Sequence, residues 1–336
     1  MTIGIHDIAP SISEPQAAAR PSVLREGIAP LLASCLWGGM YVVSRASFGA
    51  IPPVTLAALR VVIGGAALAL ALRLMRRRGV TAMLPWRRAD HLRAFGCGAL
   101  VAACILTQFL GTALASAHDG ALLTTLTPVF IVPLAWLLLG ERPGWRVAAG
   151  MGLAVAGVAV VVAAETAGSG SAGQAAEGQA YLGDALLLLS ALFWALFTVV
   201  GTPLTRRFSA LSASGAACLW AIPLILPLVP LELALRGPHA APIELTPASI
   251  AAILYLGIGA TALAWWLWYR GVARLPAGIA AVFFFAQPVV GGLLSGLLLH
   301  EQLGGGFWLG GAILAAGILV VSWAPAAARR GSAGGA

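Results

Sequence analysis

Arg60 lies well inside a long apolar run, whereas the other 19 of the 20 basic residues lie near or beyond the ends of such runs. A mid-bilayer arginine costs about 2.5 to 3.5 kcal/mol on insertion scales. Arg60 should therefore face a cavity or a partner, unless its long stem carries the charge outward to water. It can contact a solute, take part in gating or anchor neighbouring helices. Uncharged polar groups accompany it. Gln108 and Thr112 are four residues apart and Thr124 and Thr127 three apart, spacings that put both members on one helix face. Gln287 directly precedes Pro288, as Thr127 precedes Pro128. Such groups either line a cavity wall or hydrogen-bond helices together. Pro128 and Pro288 each free a backbone carbonyl one turn back, which a solute or a neighbouring helix can satisfy. Trp37, Tyr41 and Trp194 add aromatic surface with polar handles, suited to stacking on an apolar solute or to packing. Trp268, Tyr269 and Trp323, near run ends, suit interfacial belts.

None of the 12 acidic residues falls in the body of an apolar run, although proton relays in membranes commonly use buried Asp, Glu or His. Glu141 and Glu301 each close a run. One reading makes them gates or proton sites, the other tethers for loop backbone or arginine. No catalytic or metal site is expected. The 5 histidines, His6, His91, His118, His239 and His300, are scattered through tail and loops. The 4 cysteines, Cys35, Cys97, Cys104 and Cys218, sit in apolar runs without a C-x-x-C or a histidine partner, which reads as packing. The chain contains no lysine, excluding a P-loop G-x-x-x-x-G-K-[ST], a Schiff base and a Ser/Lys dyad. No cofactor is expected.

The elements that must position these groups follow from composition. The 336-residue chain is 10% charged and 60% hydrophobic, with a mean hydropathy of +0.93, whereas soluble chains are roughly a quarter charged. A lipid bilayer is its expected solvent. Each span needs about 20 apolar residues, and lipid offers the backbone no hydrogen bonds, so the spans must be helices. Runs near 27–43, 54–74, 94–115, 120–139 and 147–164 make a first five, and runs near 182–200, 212–231, 250–269, 277–299 and 307–323 a second five. The expectation is an all-α membrane protein of ten transmembrane helices. Residues 1–26 read as a disordered cytoplasmic tail without signal-peptide features, 27–164 as one five-helix unit, 165–180 as a Gly/Ser/Ala-rich linker, 181–323 as the second unit and 324–336 as another cytoplasmic tail. The net charge of +8 lies in loops rather than on one face of a soluble module, so nucleic acid is not an expected partner. Arginines crowd alternate loops, among them Arg73, Arg76, Arg77, Arg78, Arg206, Arg207, Arg329 and Arg330. By the positive-inside rule this places both termini in the cytoplasm and the chain in the cell (inner) membrane.

The two units are related in sequence. Shifting the chain by 160 residues lays 127–162 over 287–322 without a gap. Pro128 then meets Pro288, Leu137, Leu138, Leu139 and Glu141 meet Leu297, Leu298, Leu299 and Glu301, and Gly150 and Gly157 meet Gly310 and Gly317. Near an offset of 157, Leu36-Trp37 lies over Phe193-Trp194. An odd helix number per unit makes the second copy enter the membrane from the opposite side. In transporters such inverted repeats place a solute site near the midplane. Spacings such as Gly292 with Gly296 and Gly306 with Gly310 allow close helix approach, within the chain or in a homodimer.

The pattern P-V-x-x-x-x-L-x-x-L-L-L-x-E followed by spaced glycines, present in both units, resembles the EamA-type domains of the drug/metabolite transporter superfamily. So do the tryptophan in the first helix of each unit and the LAALR of Leu56 to Arg60. The resemblance implies secondary transport of small metabolites, often export of amino acids or drugs, through a cavity opened to each side in turn. The second unit lacks an arginine equivalent to Arg60. A non-transporting scaffold or receptor is the alternative.

Overall fold

A computed structural model describes residues 23–78, 85–115, 120, 123–166, 174–237, 242–299 and 305–322. No strand occurs among them. The first half comprises α1 (Val23–Gly38), α2 (Met40–Ser47), α3 (Pro53–Arg77), α4 (Arg88–Leu114), α5 (Thr127–Leu139) and α6 (Trp145–Thr166). The second comprises α7 (Gln174–Arg207), α8 (Ala210–Ile225), α9 (Leu228–Leu235), α10 (Pro247–Leu254), a π-helical segment (Tyr255–Leu263), α11 (Ala264–Arg274), α12 (Ala277–Val282), a 3-10 turn (Phe283–Phe285), α13 (Ala286–Leu299) and α14 (Gly305–Ser322).

The boundaries have local causes. Proline occupies the first turn of α3, α5 and α10, where its missing N–H costs no helical bond. The Ser209 and Thr246 hydroxyls accept the backbone N–H of Ser212 and Ser249 and so cap α8 and α10. Gly140, at φ 69°, ends α5 in the left-handed conformation that glycine adopts without a Cβ clash. Helix also extends into both ends of the expected 165–180 linker, since α6 runs to Thr166 and α7 starts at Gln174.

Five stretches are long and apolar enough to cross a bilayer: Val23–Ser47, Pro53–Arg77, Arg88–Leu114, Tyr181–Arg207 and Pro247–Arg274. A sixth results when α8 and α9, bent by 40°, are read as one span. Thr127–Leu139, Trp145–Val160, Ala277–Gly291 and Gly305–Val321 are shorter apolar helices, so full-length spans among the described residues number five to six against the ten expected. Leu137, Trp145, Tyr181 and Leu235 are 78%, 74%, 71% and 79% exposed. A surface this apolar suits lipid and not water. The protein is a multi-pass membrane protein.

Helices of one half pack chiefly on helices of the other, and the pairings survive exchange of the halves. α1 packs on α11 and α7 on α4; α1 packs on α13 and α7 on α5; α3 packs on the π segment and α8 on α4. The pairs α3 with α8, α5 with α12 and α6 with α14 map onto themselves. The last pair explains the repeated glycines. A Cβ on Gly157 would lie 2.6 Å from the Gly310 carbonyl oxygen, one on Gly317 2.6 Å from that of Gly150, and one on Gly150 2.7 Å from that of Gly317. Backbone therefore touches backbone, and position 150 facing 317 while 157 faces 310 makes the pair antiparallel. Gly310 thus serves contact within the chain. Trp268 and Tyr269 are not interfacial: they are 0% and 1% exposed because α11 packs inward against α1, α7 and α8. Trp323 lies outside the described residues.

Candidate functional site

Where the halves meet, residues of both line a cavity of about 20 Å³, room for about one water molecule. Breaks in the helices build it. α1 stops at Gly38 and α2 starts at Met40, bringing Trp37 and Tyr41 to its wall. α5 starts at Thr127 after a turn at 125–126, and α13 starts at Ala286 after the 3-10 turn. These matched breaks place Thr124, Thr127 and Gln287 on the same wall. α3 supplies Arg60, α4 Gln108 and α7 Trp194. All eight candidate solute-contacting residues line this one space.

A continuous hydrogen-bond network joins all of them but Trp194. Arg60 donates from Nη1 to Gln108 Oε1 at 3.1 Å, Gln108 Nε2 to Tyr41 Oη at 2.7 Å, and Tyr41 Oη to Thr124 Oγ1 at 2.6 Å. Gln287 Nε2 reaches the same Thr124 hydroxyl at 3.4 Å. Across the halves, Arg60 Nε donates to Thr261 Oγ1 at 2.7 Å and Nη2 to the Ala260 carbonyl at 3.4 Å. That carbonyl also accepts from Trp37 Nε1 at 2.8 Å. It is available to side chains because the π segment shifts backbone bonding out of α register: Ala264 N–H bonds the carbonyls of Gly259 and Thr261, and not that of Ala260 four residues back.

Arg60 is 2% exposed, so its charge does not snorkel to water. Trp37 and Trp194, matched in the two halves, meet edge to face with centroids 5.0 Å apart. Trp194 is 7% exposed and its indole N–H has no hydrogen-bond partner among the described residues. A buried donor without a partner costs about 1 to 3 kcal/mol, which an incoming acceptor can recover.

At Pro128 the carbonyl one turn back is satisfied locally. Pro128 stands in the first turn of α5, and the Thr124 carbonyl one turn back is bonded by Thr127 Oγ1 at 2.5 Å. That carbonyl and that hydroxyl proton are therefore spent on each other. Pro288 stands in the first turn of α13, just after the 3-10 turn. Glu141 lies away from the cavity, where its Oε1 pairs with Arg206 at 2.5 Å and its Oε2 accepts the Ala277 N–H at 2.7 Å. Glu301 lies outside the described residues. Sequence reading missed Thr261, whose place inside an apolar run was the same signal that marked Gln108. It also missed Ser190, which carried that same signal, and Cys104 and Phe284 on the cavity wall, which no feature of their runs distinguishes.

A cavity between halves related by exchange accords with the comparison to known families. The model of the EamA-like transporter family matches residues 26–163 and matches again at 181–323. The chain belongs to the EamA-like transporter family. Among relatives of this EamA protein, an uncharacterized transporter of Archaeoglobus fulgidus is 23% identical over 87% of this chain and 95% of its own length. The uncharacterized transporter YetK of Bacillus subtilis is 28% identical over 66% of this chain and 63% of its own. A protein of Streptantibioticus cattleyicolor described as a probable terminal-alkyne amino-acid exporter is 25% identical over 61% of this chain and 64% of its own. A solved crystal structure superposes with a TM-score of 0.70 at 25% identity, covering 89% of this chain and 98% of that one.

Proposed function

We propose that this EamA protein is a secondary carrier that exports small organic metabolites or drugs, amino acids or related solutes first among them, by alternating access through the central cavity. The observation that carries the reading is the cavity itself, which holds Arg60, the partnerless Trp194 N–H and matched residues of both halves. Exchange of the halves with antiparallel packing supports an inverted repeat, the arrangement that lets one cavity face each side in turn. In this reading the four shorter helices count as spans, giving ten in the cell (inner) membrane, with both termini cytoplasmic. Trp37, Tyr41, Arg60, Gln108, Thr124, Thr127, Trp194 and Gln287 contact the solute. The helix breaks before Pro128 and Pro288 act as hinges, and Glu141, with Glu301 by repeat symmetry, acts in gating. The relative described as a probable terminal-alkyne amino-acid exporter supports the solute class and the direction.

Counterflow in proteoliposomes tests the reading, with amino acids and small drugs presented in turn. Saturable exchange that persists without ATP and is abolished by Gln287→Leu at normal membrane yield is the expected result. Absence of exchange for every solute, from protein that folds normally, would favour a scaffold or receptor.

A further inference from the structure

Arg60 is a buried cation whose recorded hydrogen-bond acceptors are all neutral: the Thr261 hydroxyl, the Gln108 amide oxygen and the Ala260 carbonyl. The ion pairs recorded among the described residues, Arg206 with Glu141, Arg207 with Asp90 and Arg274 with Glu26, lie elsewhere. A charge held away from water calls for a compensating anion, because its attraction to an opposite charge and its repulsion of a like one both grow as the effective dielectric falls. Three of the five guanidinium N–H groups are engaged by those acceptors, which leaves one donor on each terminal nitrogen. Paired donors on a guanidinium match the two oxygens of a carboxylate. No acidic side chain lines the cavity among the described residues. Apart from the neutral polar groups of Tyr41, Thr124, Thr127, Ser190 and Gln287, the rest of the wall is apolar or aromatic, with Phe284 5.4 Å from Trp37 and the Trp194 N–H without an acceptor among the described residues.

Resting on the carrier reading above, we propose that Arg60 makes the cavity a charge filter that takes aromatic or apolar solutes by their carboxylate and rejects net cations. The carboxylate replaces the anion the protein does not supply, while the hydrophobic part of the solute lies against Trp37, Trp194 and Phe284. An α-amino group is tolerated but not required, since nothing on the wall supplies a negative charge for it. A cation without a carboxylate meets a guanidinium held only by neutral acceptors and the Phe109 ring face, 5.6 Å away, and no counter-charge. The competing role, in which Arg60 only ties the first half to the π segment, predicts no preference for solute charge.

The test uses the full-length chain in proteoliposomes and in detergent, with four probes of similar size: 3-phenylpropanoate, L-phenylalanine, L-phenylalaninamide and phenethylamine. Both carboxylates should compete for exchange at least about tenfold better than the amide, the weight of one ionic hydrogen-bond pair, and phenethylamine should not compete. Arg60→Lys should keep this order, and Arg60→Gln should reduce the acid-to-amide ratio below about threefold. The unmodified protein's own preference decides the matter if Arg60→Gln fails to fold. Equal exchange of acid and amide overturns the filter and leaves the carrier reading standing. Thermal stabilisation by the carboxylates alone, without exchange of any probe, upholds the filter and sinks the carrier reading. If no probe is bound or exchanged, the filter is wrong.

Discussion

Glu141→Gln should open the end of the bundle at which α5, α7 and α12 meet. The wild-type carboxylate holds three elements together: it follows α5, pairs with Arg206 at the end of α7 and accepts the N–H of Ala277, the first residue of α12. The Arg206 and Glu141 side chains are 35% and 18% exposed, so the ion pair is screened and contributes only about 0 to 1 kcal/mol. A negative charge at a helix N-terminus adds about 0.3 to 1 kcal/mol. Glutamine keeps the shape and one acceptor oxygen but loses the charge, a loss of about 1 kcal/mol in all. If this contact is made in one conformation and broken in the other, the equilibrium between them moves about fivefold. Cys104 on the cavity wall reports the change. Its alkylation by maleimide added on the side of the membrane where Glu141 lies, read residue by residue by mass spectrometry, should quicken about fivefold in Glu141→Gln. Arg206→Gln should act similarly, and the double variant should exceed neither single by the sum of their effects, because both break one contact. An unchanged Cys104 rate alongside a lower thermal midpoint would refute gating and leave Glu141 as a helix cap.

Trp194→Phe and Trp37→Phe should part company: the first removes an N–H that has no partner among the described residues, so stability should hold while the apparent KM shifts. The second strips a donor from the Ala260 carbonyl and should cost about 1 kcal/mol, seen in detergent melts. Gly157→Ala puts a Cβ 2.6 Å from the Gly310 carbonyl oxygen and should cost about 1 to 3 kcal/mol and lower membrane yield. Gly152→Ala, with nothing within 4 Å of the new Cβ, should be neutral in the same assays. Reporter fusions after Arg78 and Arg207 should read as cytoplasmic, and fusions near Gly170 and His239 as the opposite side; a cytoplasmic signal at Gly170 would end the inverted-repeat argument.

The solute-facing candidates were legible because lipid makes polarity rare and therefore informative. A glutamine or arginine inside a run is costly unless something receives it, so Arg60, Gln108 and Gln287 stand out in the sequence. The repeat did the rest, since a two-fold exchange of halves brings matched positions such as Trp37 and Trp194 toward a common axis. What hydropathy cannot register is the partner of an apolar surface. Trp268 and Tyr269 looked interfacial by their distance from a run's end, yet neighbouring helices bury them completely, and a run of indoles reads alike whether its neighbour is lipid or protein.

The π segment was illegible for a related reason. In a segment whose only polar side chains are Tyr255 and Thr261, a change from i−4 to i−5 bonding moves too few polar residues to leave a trace in the periodicity. Yet that shift is what leaves the Ala260 carbonyl available to Trp37 and Arg60 at once. The asymmetry of the halves has its cause in the same place. The second half has no counterpart of Arg60; instead it supplies the acceptors that hold it, a backbone carbonyl and the Thr261 hydroxyl. Because those acceptors are neutral, they orient the guanidinium without cancelling its charge, and the field of that charge remains for whatever enters the cavity.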